Sequence, residues 1–375
     1  MKEQARLLIR HIFGRIDWLL TALVLACCGF GLVLISSATA TFGSHKNLIV
    51  QAGGIVLGLL MCLVIVTIEH HNLARFSIPI YILCIALLVC TLLFGKEVMG
   101  NKNWISLGPI NVQPSEFVKI GFIITFSKHL KKVREYINSP RALIPLLLHF
   151  AVIAFLVIRG GDLGTTLVFL FIFLAMLMAA GLHWGYFLGG FSVIGISAPL
   201  LFNQLETYQQ MRILAVYDPS LDPLGFGYHT IQSKIALGSG GLTGSGLYNG
   251  IQTQFSILPE KQTDFIFSVC GEELGFVGCL IVIVLEAAII FRLIHVARKA
   301  PNHMGCFICI GLAAMLFMQA AENIGMCLGL LPVIGLTLPF MSYGGSSVLA
   351  LCMSMGHAMS VNANRQRDSF FKETR

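Results

Sequence analysis

Charged side chains gather in the stretch from Asn203 to Asp264, among them Arg212, Asp218, Asp222, Lys234, Glu260 and Asp264. Asp264 closes the run Leu258-Pro-Glu-Lys-Gln-Thr-Asp264, where a polar loop meets an apolar segment. A carboxylate there has the chemistry of a general base. Capping and the helix dipole account equally well for an aspartate at a helix start. A loop this long with this much chemistry is seldom a plain connector, which favours the functional reading, although Ile231 and Ile235 suit a short surface helix within it. The cations Arg212 and Lys234 suit an anionic headgroup such as a diphosphate. The glycine-dense patch Gly238 to Gly250 lacks the Gly-Lys-Ser/Thr of a phosphate-binding loop and follows no strand, so no nucleotide site is read from it. Its glycines let backbone approach a ligand or turn tightly.

A second group lies upstream. Lys102 and Trp104 sit in a polar loop, where the tryptophan suits a membrane interface. Gln113-Pro-Ser-Glu116-Phe-Val-Lys119 starts an apolar segment with a proline where a helix tolerates one. Glu116 and Lys119 share a helix face, and a structural ion pair and a site pair both fit them. Asp162, three residues after the outward-facing Arg159, is placed to cap the next segment. Glu272 and Glu322 fall at depths where a carboxylate must face protein or a wet cavity. The stretch Gly329 to Ser347 is punctuated by Pro332, Gly335, Pro339, Gly344 and Gly345. Irregular backbone at membrane depth is tolerated only where it lines a buried or water-filled cavity.

The elements that must position these groups follow from composition. Of the 375 residues, 56% are hydrophobic and 11% charged, and the mean hydropathy is +0.82. Soluble domains carry roughly a quarter charged residues. The apolar runs are continuous and approach the roughly 20 residues a helix needs to cross a bilayer, which excludes an alternating β-barrel. We read an all-α polytopic membrane protein with ten transmembrane helices: about 17–38, 48–68, 76–94, 114–130, 142–159, 163–182, 184–203, 265–292, 303–326 and 338–361. The first is expected to be an uncleaved signal anchor. The net charge of +7 is concentrated in the amino-terminal tail, in Lys128 to Arg141, in Arg292 to Lys299 and after Asn364. That placement is the positive-inside bias and not a nucleic-acid groove. It puts both termini (1–16 and 362–375) in the cytoplasm and the large loop 204–264, between helices 7 and 8, outside. The chain is one domain, 1–375. The 11 cysteines lie mostly within apolar runs. They read as small packing residues, Cys306-x-x-Cys309 included. No metal-binding cluster is evident.

The motifs Trp104-Ile, Gln113-Pro-Ser-Glu116, Asp162-Leu-Gly, Asp222-Pro-x-Gly-x-Gly-Tyr-x-x-Ile-Gln-Ser, Pro259-Glu-x-x-Thr-Asp264-Phe-Ile-Phe, Glu272-Glu-Leu-Gly and Leu338-Pro-Phe-x-Ser-Tyr-Gly-Gly-Ser346-Ser together resemble the SEDS family (RodA, FtsW, SpoVE). The wording of the loop after Asp222 is of the RodA type. FtsW chains often carry a lysine just before Gly335, where this chain has Ile334. The resemblance implies a ten-helix peptidoglycan glycosyltransferase of the bacterial cytoplasmic (inner) membrane. It would polymerise lipid II onto nascent glycan at the outer face during cell elongation. Its implied partners are a class B penicillin-binding protein and other elongation-complex membrane proteins, with no nucleic acid. Asp264 takes the family's catalytic position. Trp104, Glu116, Lys119, Asp162, Arg212, Lys234, Glu260, Ser342 and Ser346 are expected to bind substrate. A divalent cation, Mg or Mn, would be the sole cofactor, helping to offset the diphosphate; no protein-bound metal set is read. A lipid II flippase and the division paralogue are the alternatives. Glu322 departs from the family pattern and is assigned no role.

Overall fold

Continuous apolar runs fold as helices here because a helix satisfies its own backbone without water. The structure, a computed structural model, describes residues 14–68, 75–98, 101–107, 110–222 and 225–373. Most of the 1–16 tail, Gly100, Gly108, Pro223 and the last two residues, all touched by the sequence reading, lie outside the described residues. The helices are α1 (Trp18–Ala38), α2 (Lys46–Thr67), α3 (Ser77–Phe94), α4 (Pro114–Val133), α5 (Pro140–Arg159), α6 (Leu163–Ala180) and α7 (Trp184–Gln204). They continue with α8 (Thr207–Tyr217), α9 (Phe226–Ser239), α10 (Ile251–Gln254), α11 (Ile266–Arg298), α12 (His303–Cys327) and α13 (Gly345–Glu373). Seven of these, α1, α2, α3, α5, α6, α11 and α12, are long and apolar enough to cross a membrane.

Two expectations are corrected. The fold is not purely helical: β1 (Lys96–Val98), β2 (Asn101–Leu107) and β3 (Ile110–Val112) form an antiparallel meander between α3 and α4. Also, the last long helix starts at Gly345 and not near 338, because Pro339 and Gly344 interrupt the preceding stretch. Residues 328–344 are irregular apart from turns.

Helix α12 runs through the core, and Gly311 lets it approach Ile123 of α4 and Met176 of α6. Helix α4 is almost wholly buried although it carries Glu116, Lys119 and a basic end. Gly54 and Gly58 bring α2 against Val348 and Cys352 of α13, the close contact that small residues permit. Helix α7 differs: it is exposed along nearly all its length, with Phe187 its buried residue among the described side chains. At one end of the bundle Asp17 caps α1 and pairs with Arg292 at 2.8 Å, and Asn362 of α13 donates to the same carboxylate.

Helix α11 is broken. Gly275 takes φ 65° and ψ −161°, a conformation open essentially to glycine alone. A continuous helix would join Glu272 O to Phe276 N and Glu273 O to Val277 N. The glycine patch supplies both halves of those missing rungs. Ser245 N and Gly246 N donate to the Glu272 and Glu273 carbonyls at 3.0 and 2.9 Å. Gly241 O and Leu242 O accept from Phe276 N and Val277 N at 2.9 and 3.2 Å. A Cβ at Gly240, Gly244 or Gly275 would run into this paired backbone. The patch therefore approaches the chain's own helix rather than a ligand.

Candidate active site

The Asp264 segment is a tight turn. Glu260, at φ 45°, offers its carbonyl to the N–H groups of Thr263, Asp264 and Phe265 at 3.1, 3.1 and 3.3 Å. Thr263 Oγ1 also donates to Glu260 Oε2 at 3.2 Å. The turn leaves Glu260, Thr263 and Asp264 on one side. Lys261 goes the other way and is buried. Its Nζ donates to Thr41 Oγ1 at 3.0 Å, to Ser256 Oγ at 3.1 Å and to the Thr253 carbonyl, over the ring of Phe42. The loop is thus pinned to the end of α1, and burial holds the Lys261 pKa below the usual lysine value.

Glu272 and Glu273 of α11 serve the same loop. Glu272 accepts from Gln252 N at 2.7 Å, Thr253 N at 3.0 Å and Thr253 Oγ1 at 2.7 Å, which caps α10. Glu273 Oε1 accepts from Ser37 Oγ at 2.7 Å and Gln254 Nε2 at 3.0 Å. Of the two surroundings open to carboxylates at this depth, protein or a wet cavity, these two take protein partners. Asp218 and Asp222 close local turns through Ser220 and Gly225.

Asp264 is half-buried, and its carboxyl is pushed up to about 7. Burial is the main cause and the neighbouring Glu260 charge adds to it; the Arg212 guanidinium and a hydrogen bond from Thr263 oppose them. A carboxylate tuned near neutral pH suits proton abstraction. Arg212, buried on α8, is the cation whose field reaches it. Gly335, at φ 73°, stands opposite: a Cβ there would lie 3.5 Å from Asp264 Oδ2. The 328–344 segment therefore walls the site.

That segment joins Asp264 to the upstream group. Ser342 Oγ donates to the Thr263 carbonyl at 2.6 Å, and Ser346 Oγ accepts from Gln113 N at 3.4 Å. Ser347 Oγ donates to Glu116 Oε2 at 3.4 Å. Lys119 Nζ pairs with Glu116 Oε1 at 2.8 Å with both side chains buried. Asp162 caps α6 through Thr165 N at 2.9 Å and also accepts from Thr165 Oγ1, Asn103 Nδ2 and Gln113 Nε2. Trp104 lies half-buried on β2, opposite Lys96. Lys234 is exposed on α9 and lies across Gly329. Asn323 of α12, which the sequence marks with Glu322 as polar at depth but assigns no role, is central: it donates from Nδ2 to the Asp264 carbonyl at 2.8 Å and to the Leu336 carbonyl at 2.7 Å. An asparagine in an apolar helix was its only signal.

These features define a multi-pass helical membrane protein with a tuned carboxylate and buried cations gathered at one end of the bundle. A family model described as cell cycle protein, covering FtsW, RodA and SpoVE, matches residues 17–367. The chain belongs to this SEDS family and is a peptidoglycan glycosyltransferase. It is similar to the peptidoglycan glycosyltransferase MrdB of Escherichia coli K12, 38% identical over 338 residues, which covers 89% of this chain and 90% of the relative. A solved chain from a peptidoglycan synthase complex that coordinates polymerization and crosslinking superposes with a TM-score of 0.81 at 30% identity, covering 93% of this chain and 98% of that one. A mutant of the rod shape determining protein RodA of Thermus thermophilus gives 0.71 at 29% identity, covering 93% and 98%.

Proposed function

We propose that this chain polymerises lipid II at the outer face of the bacterial cytoplasmic membrane, as the elongation (RodA-type) enzyme of its family. The observation that carries the reading is Asp264, half-buried on a tight turn opposite Gly335, its carboxyl pushed up to about 7 by burial and Glu260 against Arg212. The acceptor sugar's 4-hydroxyl attacks C1 of the donor. The new C1–O4 bond forms as the C1–O bond to undecaprenyl diphosphate breaks, and the hydroxyl proton passes to Asp264. Single displacement converts the α-linked donor into a β-1,4 bond, which asks for one base and stabilisation of the leaving diphosphate. Arg212 is the first cation available for that charge, with Lys119 behind it; Trp104, Asp162, Lys234, Ser342 and Ser346 shape the surrounding wall. No cluster of His, Cys, Asp or Glu among the described residues would hold a metal, so a divalent cation would arrive held by the substrate phosphates. Such an ion would further neutralise the diphosphate.

In this reading all ten long helices cross the membrane with both termini inside. The start of α1, the end of α11 and the last turns of α13 meet at Asp17, the end bearing Arg292, Arg298 and Lys299, and the site occupies the opposite end. Helix α7, standing clear of the bundle, leaves room for a polyprenyl chain to enter sideways. The complex that one structural relative forms supports a crosslinking transpeptidase, a class B penicillin-binding protein, as partner. The test is D264N, purified and assayed on lipid II. Loss of polymer with an intact fold is expected, and polymerisation at the parental rate overturns the assignment.

A further inference from the structure

Three consecutive carbonyls, those of Gln262, Thr263 and Asp264, accept hydrogen bonds from the 328–344 wall and from helix α12 before it. Tyr343 N donates to Gln262 O at 2.9 Å, Ser342 Oγ to Thr263 O at 2.6 Å and Asn323 Nδ2 to Asp264 O at 2.8 Å. Neither side chain has another N–H or O–H to offer. Asn323 spends its second N–H on Leu336 O at 2.7 Å, and Ser342 Oγ accepts from Leu338 N at 2.9 Å. Both residues are buried, Asn323 with 0% exposure. The grip is itself anchored, because Gln51 of α2 donates to Ser342 O at 3.0 Å and accepts from Gly344 N at 2.9 Å. Helix α12, the 328–344 wall and α2 thus converge on the main chain that carries the aspartate.

We propose that Asn323 and Ser342 are positioning residues of the transferase, which fix Asp264 through its backbone and so set the distance between its carboxylate and the acceptor hydroxyl. The inference rests on Asp264 being the base. An amide nitrogen with two N–H groups can tie two carbonyls together. An aspartate of the same shape sets its carboxylate oxygens against both of them. Rotating or shifting the turn by a fraction of an ångström spoils proton transfer without removing any substrate contact. It also changes what Asp264 faces: Glu260 on its own turn, Arg212 from α8, and Cys327 of α12, whose Sγ lies 3.6 Å from the Asp264 carbonyl. His229 of α9, packed on the Phe265 ring, faces Glu260 in turn.

The experiment compares the full-length parent with N323D, S342A, S342T and D264N in lipid II polymerisation across pH. N323D and S342A are expected to lower kcat by about ten- to a hundredfold with KM little changed. In S342A the acid limb should fall below its parental position as a loosened Asp264 gains water; N323D is read by kcat and KM alone, because its added carboxylate itself raises the Asp264 pKa. S342T, which keeps the hydroxyl, should restore kcat. Should N323D not fold, S342A and S342T, which differ from the parent by one oxygen or one methyl, suffice for the test. A parental acid limb in S342A, whether kcat falls or not, marks a purely structural role and overturns the proposal. So does a rise in KM at constant kcat, which marks a substrate contact. An active D264N removes the base assignment and this inference with it, whereas a dead D264N beside a parental S342A removes the inference alone.

Discussion

Lys119 Nζ lies 2.8 Å from Glu116 Oε1, one helical turn away on α4, with both side chains buried. Serine 347 supplies the second carboxylate oxygen with a hydroxyl. Two opposite charges taken together into a core cost less than either one alone, and breaking such a pair costs about 3–5 kcal/mol. K119M should therefore unfold at a markedly lower temperature than the parent, while E116Q/K119M recovers most of the loss. Polymerisation should stay low in the double variant, because the cation behind Arg212 is gone. Thermal unfolding and lipid II turnover on the same preparations check both halves.

The Asp264 pKa of about 7 gives the pH profile a definite sign. The base works ionised, so kcat should be full above that value and lost as pH falls through it. Glu260 raises the pKa and Arg212 lowers it. E260Q should move the acid limb to lower pH, and R212M should move it to higher pH while also weakening turnover. Polymerisation rates measured from acid to mildly alkaline pH report both shifts.

The same shift has a consequence for stability. The folded-state pKa lies above the unfolded value, so this group's contribution to stability is complete below the unfolded pKa and lost as pH rises through about 7. D264N, neutral throughout, should be more stable than the parent at mildly alkaline pH, by an amount on the order of a few kcal/mol at most, and the gap should close in acid. Unfolding midpoints of the two proteins across that range test it.

Gly275 and Gly238 make a matched pair. A Cβ at Gly275 meets the backbone of Leu242 and Gly244, and its φ of 65° strains any other residue, whereas a Cβ at Gly238 meets nothing within 4 Å. G275A should undock the glycine patch from α11, lower the unfolding temperature and expose residues near 240–246 to protease. G238A should be within about 0.5 kcal/mol of the parent. Equal behaviour of the two variants would contradict the backbone pairing described here.

What could be seen from sequence divides along a physical line. Unbroken apolar runs announce helices, and a charged loop ending at a helix start drew attention to Asp264, because both signals are local. The meander at Lys96 to Val112 was not legible: its strands are of three, seven and three residues, too short for an alternating pattern to stand out. Nor was the break in α11, since Gly271-Glu-Glu-Leu-Gly275 reads as ordinary helix until the patch some thirty residues earlier is seen to complete its backbone bonds. Asn323 is the sharpest case. Its value lies in reaching carbonyls 59 and 13 residues away, and no periodicity within α12 records that.

Lys261 lies three residues before Asp264 and faces away from it, which separates its effect from that of the site charges. Its Nζ holds Thr41, Thr253 and Ser256, and Glu272 and Glu273 surround it without direct ion pairs among the described residues. K261M keeps an unbranched stem but removes all three donations and the cation over the Phe42 ring. It leaves the buried Thr253 carbonyl without that donor and the two carboxylates without their nearby cation. Loss of stability on the order of a few kcal/mol follows from the uncompensated buried groups. The turn that begins at Glu260 also loses its anchor, so kcat should fall while KM holds, because no substrate contact has been removed. The acid limb should stay above the ordinary carboxylate range, since Asp264 keeps its burial and, second to that, the neighbouring Glu260 charge. Unfolding temperature, kcat and KM from one preparation decide the matter: a selective rise in KM would mean that Lys261 meets substrate, against the direction in which its side chain points.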